Sequence, residues 1–247
     1  MQTDLTIVIA KIFLGFTHEI VILPLIILGY IWLNQKNFYN AICLLLISML
    51  FNYALKVTFK GFIFPSGHMQ SAVVLYGWLM TKIKQLILKI LIIKLLISIG
   101  VSLVYFGYHN YLDIFGAIFF GILLIFIYNI LLNNINKYLS FIILSFSSIL
   151  MLYIAIIHNI APHLWMAYYG LIGLIITENI FISHKIIKKN INNKILATII
   201  CFVSIFIIKA LFCIKFMNGL PVYLQQLQWM LIGGCIPWSV YYSSLLK

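Results

Sequence analysis

The chain has 247 residues, of which 64% are hydrophobic and only 8% charged, with a formal net charge of +12. Domains that fold in water carry about 25% charged residues, so this chain lacks the polar side chains to cover an aqueous surface, and lipid is its natural solvent. Its sixteen basic residues are all lysine, and they are scattered between apolar runs. That distribution argues against a nucleic-acid-binding patch and fits the topology signal of a membrane protein.

A membrane-crossing helix needs about 20 mostly apolar residues. Residues 3–16 read as an interfacial helix or as a backward extension of the first span. Nine candidate spans follow in chain order: 18–33, 40–58, 66–83, 89–107, 111–132, 138–158, 163–182, 195–215 and 222–245. The last is interrupted at its start by Gln225, Gln226 and Gln228. The expected fold is therefore all-α, a polytopic transmembrane helix bundle of eight or nine spans. The N-terminus has no signal-peptide pattern, because Asp4 stands where a basic region belongs.

Short cytoplasmic loops carry the positive excess. The odd-numbered loops hold Lys36, Lys82, Lys84, Lys89, Lys137, Lys185, Lys188, Lys189 and Lys194, nine lysines in all. The other side holds four, Lys11, Lys56, Lys60 and Lys215. The N-terminus and the even loops are thus expected to face away from the cytoplasm.

Two of those even loops are unusual. The loop after the second span ends in Pro65-Ser66-Gly67-His68. Pro65 and Gly67 break a helix, and Ser66 caps the next one. The backbone N–H groups at that helix start form an anion site, with Lys56 and Lys60 supplying charge. The loop between the fourth and fifth spans contains His109 and Asp113, four residues apart and so on one face of a helix. A carboxylate in that position fixes an imidazole tautomer and raises its basicity. Both loops fall on the same predicted side of the membrane.

Only four residues are acidic, namely Asp4, Glu19, Asp113 and Glu178, and an acid inside a span is a functional candidate by default. Glu178 is such an acid, with no partner evident from sequence. His18, Glu19, His158, Pro162 and His163 read as interface residues. Cys43, Cys201, Cys213 and Cys235 have no metal or redox spacing and read as small buried hydrophobes.

The two loops together resemble the type 2 phosphatidic acid phosphatase superfamily, which also includes the vanadium haloperoxidases. Its motifs are KxxxxxxRP, PSGH and SRxxxxxHxxxD. The second is complete at Pro65-Ser66-Gly67-His68, and the third is met at Ser102, His109 and Asp113. The first is met only at Lys56. Ile63 and Phe64 stand at its Arg-Pro, and Leu103 stands at the arginine of the third, so both phosphate-clamping arginines are absent.

The resemblance implies a phosphatidic-acid-phosphatase-like core over residues 1–132. Residues 133–247 then add transmembrane helices that carry no recognised motif. It also implies hydrolysis of a lipid phosphate monoester or pyrophosphate through a phosphohistidine. His109 would be the nucleophile, Asp113 its orienting partner and His68 the acid for the leaving alcohol. Lys56, Lys60, Ser66 and Gly67 would hold the phosphoryl oxygens. No metal or cofactor is expected. The implied partners are a membrane lipid phosphate and the bilayer, not nucleic acid, and the implied location is a bacterial inner membrane with the site facing the periplasm. A phosphotransferase using the same chemistry and a degenerate lipid-phosphate binder are the alternatives.

Overall fold

The computed structural model describes residues 2–59, 64–183, 193–213 and 219–245, and every regular element among them is helical. In chain order these are α1 (Gln2–Gly15), α2 (Glu19–Leu28), α3 (Gln35–Thr58), α4 (Gly67–Lys82), α5 (Leu86–Tyr105), α6 (Tyr111–Asn134), α7 (Leu139–Ile157), α8 (Pro162–Ser183), α9 (Lys194–Phe212) and α10 (Gln228–Leu245). A π-helical turn, Gly29–Leu33, continues α2, and single turns lie at Asn136–Tyr138 and Val222–Gln225.

Each of the nine expected spans falls on a helix, but fewer are built to cross a bilayer. Six of the described helices are long and apolar enough, or seven if the bent pair Leu5–Gly15 and Glu19–Leu33 is one span. The reasons are local. α4 has 16 residues, roughly 24 Å at 1.5 Å per residue, short of a hydrocarbon core of about 30 Å. The pair formed by α1 and α2 is bent by 47° at the turn Phe16–His18. The last segment is broken at Gln226, and the glutamine amides around the break turn to backbone carbonyls, Gln225 to Leu220 and Gln228 to Gln225.

The chain divides into two compact units, Met1–Ile26 with Asn37–Leu139 and Ile27–Lys36 with Ser140–Lys247. In this division a short early segment, Ile27–Lys36, belongs with the later unit. That segment is held by polar contacts no motif announces. Tyr30 donates a 2.5 Å hydrogen bond to Glu178 and accepts one from Gln35. Trp32 donates its indole N–H to Thr198. Glu178, without a partner in the sequence reading, is therefore a buried acid paired with a tyrosine, as an acid in an apolar interior must be.

In the first unit α4 packs on α5 and α6, and α1 packs on α5. The indole of Trp78 is fully buried. It donates to Asn37 O at 3.0 Å and meets the Tyr128 ring edge-on, while the Tyr128 hydroxyl donates to Asn40 Oδ1. These donors are satisfied inside the packing, which removes the penalty for burying them.

In the second unit α8 crosses α10 at backbone contact. A Cβ on Gly173 would lie 1.9 Å from Met230 O, and one on Gly233 would lie 2.3 Å from Gly170 O. Small residues allow such approach, and helix pairs in lipid depend on it because there is no hydrophobic drive between them. Gly173→Leu is expected to separate α8 from α10 and cost at least about 2 kcal/mol, read as a lowered thermal midpoint in detergent. Gly15→Ala, with nothing within 4 Å of the added carbon, should leave the midpoint unchanged.

Candidate active site

Three helix ends of the first unit converge. Ser66 is the N-cap of α4, and its hydroxyl accepts from Met69 N–H at 3.4 Å. Gly67 and His68 follow as the first two helical residues, whose N–H groups have no acceptor within the helix. This turn is seated on α3: Asn52 donates to Pro65 O at 3.2 Å and to Gln70 Oε1 at 2.9 Å, and Gln70 in turn donates to Ser48 O. A Cβ on Gly67 would lie 3.2 Å from Asn52 Oδ1, so the small residue is part of the seat.

The second motif loop is shaped by how α5 stops. Gly107 N–H bonds to Val104 O and Tyr108 N–H to Leu103 O, with Gly107 at φ +69°. This is the Schellman termination, which calls for glycine at the left-handed position. Two residues later Asn110 begins α6 with a capping box: Asn110 Oδ1 accepts from Asp113 N–H at 2.9 Å, and Asp113 Oδ2 accepts from Asn110 N–H at 3.0 Å. His109 is held between the two devices.

The two loops are joined directly, because Ser66 N–H donates to Asp113 O at 3.2 Å. His68 and His109 are close enough for their charges to act on each other, and Lys56, half-buried at the end of α3, acts on both rings and on Asp113. His68, Gly67, His109, Asp113 and Lys56 are therefore brought together. Ser66 is fully buried and serves as the cap beneath them. Lys60 lies outside the described residues.

The tautomers follow from the partners. The Thr17 hydroxyl donates its one hydrogen to Leu14 O at 2.7 Å, so at 3.3 Å from His68 Nδ1 it can only accept. The Nδ1 of His68 therefore carries hydrogen and its Nε2 is left for chemistry. His109 Nδ1 lies 3.5 Å from Asp113 Oδ2, within ion-pair range but without the alignment of a hydrogen bond. The same logic directs His109 Nε2 away from the acid. Burial pulls the His109 imidazole below its ordinary range, Asp113 opposes that shift, and the Lys56 charge adds to it. The balance favours a neutral ring at pH 7 with a free lone pair, the form a nucleophile needs.

The position of the third motif's missing arginine is taken up by packing, and so is that of the first motif's missing proline. Leu103 is fully buried. The Phe64 ring lies edge-on to Phe59 and Phe120 and fills the space a Cβ on Gly116 would occupy, at 2.3 Å. Ile63 is outside the described residues.

Thr17, Asn52 and Gln70 were not singled out from sequence. The available signal was a polar residue inside an apolar run within four positions of a motif residue, which holds for Asn52 before Lys56 and for Gln70 after His68. His158, Pro162 and His163 belong to the second unit. Among the described residues no cluster of histidine, cysteine or acid has the makings of a metal site.

Residues 32–137 match the family model described as the PAP2 superfamily, a stretch that contains all three motif regions. No curated protein and no solved structure matches the chain.

Asn52→Leu is expected to strand the Pro65 carbonyl and the Gln70 amide in the interior. The cost should be about 1–3 kcal/mol, seen as a lowered thermal midpoint in detergent. Gln225→Leu, at a half-buried position in the second unit, should lower it less.

Proposed function

Since residues 32–137 match the PAP2 superfamily, we propose that this chain belongs to it and is a lipid-phosphate phosphatase working through a phosphohistidine. The observation that carries the reading is the pairing of two imidazoles, each with Nδ1 turned to a partner and Nε2 unused, beside a lysine. Chemistry of the phosphatase type is what the superfamily suggests. The substrate and the steps are our reading.

His109 Nε2 attacks phosphorus and the ester P–O bond breaks. Burial and the neighbouring charges hold the His68 imidazole below its ordinary range; the negative charge of the bound substrate favours its protonated form, which passes its Nε2 hydrogen to the departing alkoxide, and this leaves as the alcohol. His68 then takes a proton from water as that water attacks the phosphohistidine, releasing inorganic phosphate and restoring His109. Asp113 holds the His109 ring and stabilises the positive charge it gains. Lys56 and the Gly67 and His68 N–H groups stabilise the charge on the phosphoryl oxygens. Ser66 contributes by holding the helix start in place.

A groove in the same unit supports a lipid substrate. It has a volume of about 530 Å³ and is lined by Met69, Val73, Gly100, Val104, Tyr111 and Ile114, among other apolar groups from α4, α5 and α6. Met69 adjoins His68, and Ile114 adjoins Asp113, so a hydrocarbon chain lying there would have its phosphate at the histidines.

Purified protein in nanodiscs should release phosphate from at least one of phosphatidic acid, phosphatidylglycerophosphate, a polyprenyl pyrophosphate or a lipid A phosphate, and His109→Ala should abolish release. Wild-type protein inert on all four would sink the proposal, and transfer to an acceptor alcohol instead of water would make it a phosphotransferase. In kcat/KM the acid limb due to His109 should lie below the ordinary histidine value of 6.5. Asp113→Asn removes a carboxylate that raises this pKa, so the limb should move to still lower pH while the rate drops by about 10²–10⁴-fold. A limb that moved upward would contradict the assignment.

A further inference from the structure

The turn between α1 and α2 contributes a residue that neither motif contains and that lies outside the matched stretch 32–137. The His18 ring stands 5.7 Å from the His68 ring, centroid to centroid, tilted by 55°. Its position is not left to chance. Thr17, one residue earlier, is buried and bonded to both Leu14 O and His68 Nδ1. Tyr76 of α4 donates to Phe16 O at 2.7 Å. On the far side His18 O accepts the Val21 and Ile22 N–H groups and so begins α2. The turn is tied to α4 on one side and leads into α2 on the other, yet the His18 side chain is exposed.

Basic groups outnumber acids around it. His68 feels His18, His109 and Lys56, Lys56 also acts on His109, and the buried acid beside them is Asp113. The neighbouring Glu19 is exposed, and the one histidine–acid ion pair among the described residues is that of His109 with Asp113. An anion among these groups would meet the Lys56 charge and the N–H donors of the imidazoles. The His18 ring is an immediate neighbour of the His68 ring, so a phosphoryl group held at His68 lies within reach of a side chain in this turn. An imidazole offers an N–H donor in either charge state.

We propose that His18 is a ligand of the substrate phosphoryl group, a third imidazole that supplies part of the charge and hydrogen bonding which Leu103 and Ile63, standing at the motif arginines, do not. The proposal rests on the phosphatase reading for its substrate, but it makes a claim about phosphate binding that is testable separately. It also accounts for why an α1–α2 turn should be tied so closely to the α4 start.

The test compares wild type, His18→Ala, His18→Phe and His18→Arg in nanodiscs, by lipid-phosphate turnover and by titration of inorganic phosphate followed by ³¹P NMR. His18→Ala should lower kcat/KM and weaken phosphate binding, each by about 10–100-fold, somewhat less than removal of a fully enclosed donor. His18→Arg should recover most of both. His18→Phe, which keeps the ring but loses the donor, should recover neither. If His18→Phe matches wild type, the ring is packing only and the proposal is overturned. It is equally overturned if phosphate binds wild type and His18→Ala alike, or binds neither. Should wild type bind phosphate through His18 yet turn over no lipid, the inference stands and the hydrolase reading fails. Should His18→Ala prove unstable, the contrast between the arginine and phenylalanine variants decides the matter.

Discussion

A main-chain hydrogen bond, Ser66 N–H to Asp113 O at 3.2 Å, joins the start of α4 to the start of α6. It binds the loop that carries His68 to the loop that carries His109. Its worth in free energy is modest, about 1 kcal/mol for an ordinary hydrogen bond. Its worth in geometry is larger, because phosphoryl transfer depends on the placement of groups that are individually commonplace. Everything else at the site refines what this bond begins. The capping box of Asn110 and Asp113 aims the carboxylate, the Schellman turn at Gly107 aims the approach to His109, and Asn52 with Gln70 holds Pro65 from below.

On the proposed reading, the site meets a phosphate without arginine. Arginine grips phosphate through a planar fork, whereas lysine is a point charge and imidazole a single directed donor. Here leucine and isoleucine stand where the arginines would, Leu103 committed to the core and Ile63 at the first motif. What remains is a set of imidazoles and Lys56 around Asp113. Such a site depends more on each ring's orientation than an arginine clamp does. That fits the attention the fold gives to Nδ1 of both histidines, one turned to Thr17 and the other to Asp113.

Sequence made part of this legible. The apolar runs located every helix, because helix periodicity is a local property. The spacing of His109 and Asp113 pointed to one helical face, but His109 precedes the Asn110 cap and lies outside α6, so the two meet across the start of the helix. The number of spans was less accessible. It depends on where caps and breaks fall, as at Ser66 for the 16-residue α4 and at Gln226 before α10. The partners of Glu178 and His68 were invisible for a different reason. Tyr30 is 148 positions from Glu178 and Thr17 is 51 from His68, and no local signal announces a contact made by tertiary packing. The segment 27–36 joins the later unit through the same kind of long-range bond.

The central claim is that His109 becomes covalently phosphorylated. Lipid phosphate labelled with ³²P, mixed with the protein and quenched in alkali within milliseconds, tests it most directly, followed by peptide mapping of the label. The account predicts acid-labile, base-stable label on the peptide containing His109, more of it in His68→Ala if breakdown of the intermediate is slowed more than its formation, and none in His109→Ala. Phosphate release from wild type with no label at any histidine, or with label on a residue other than His109, would contradict it.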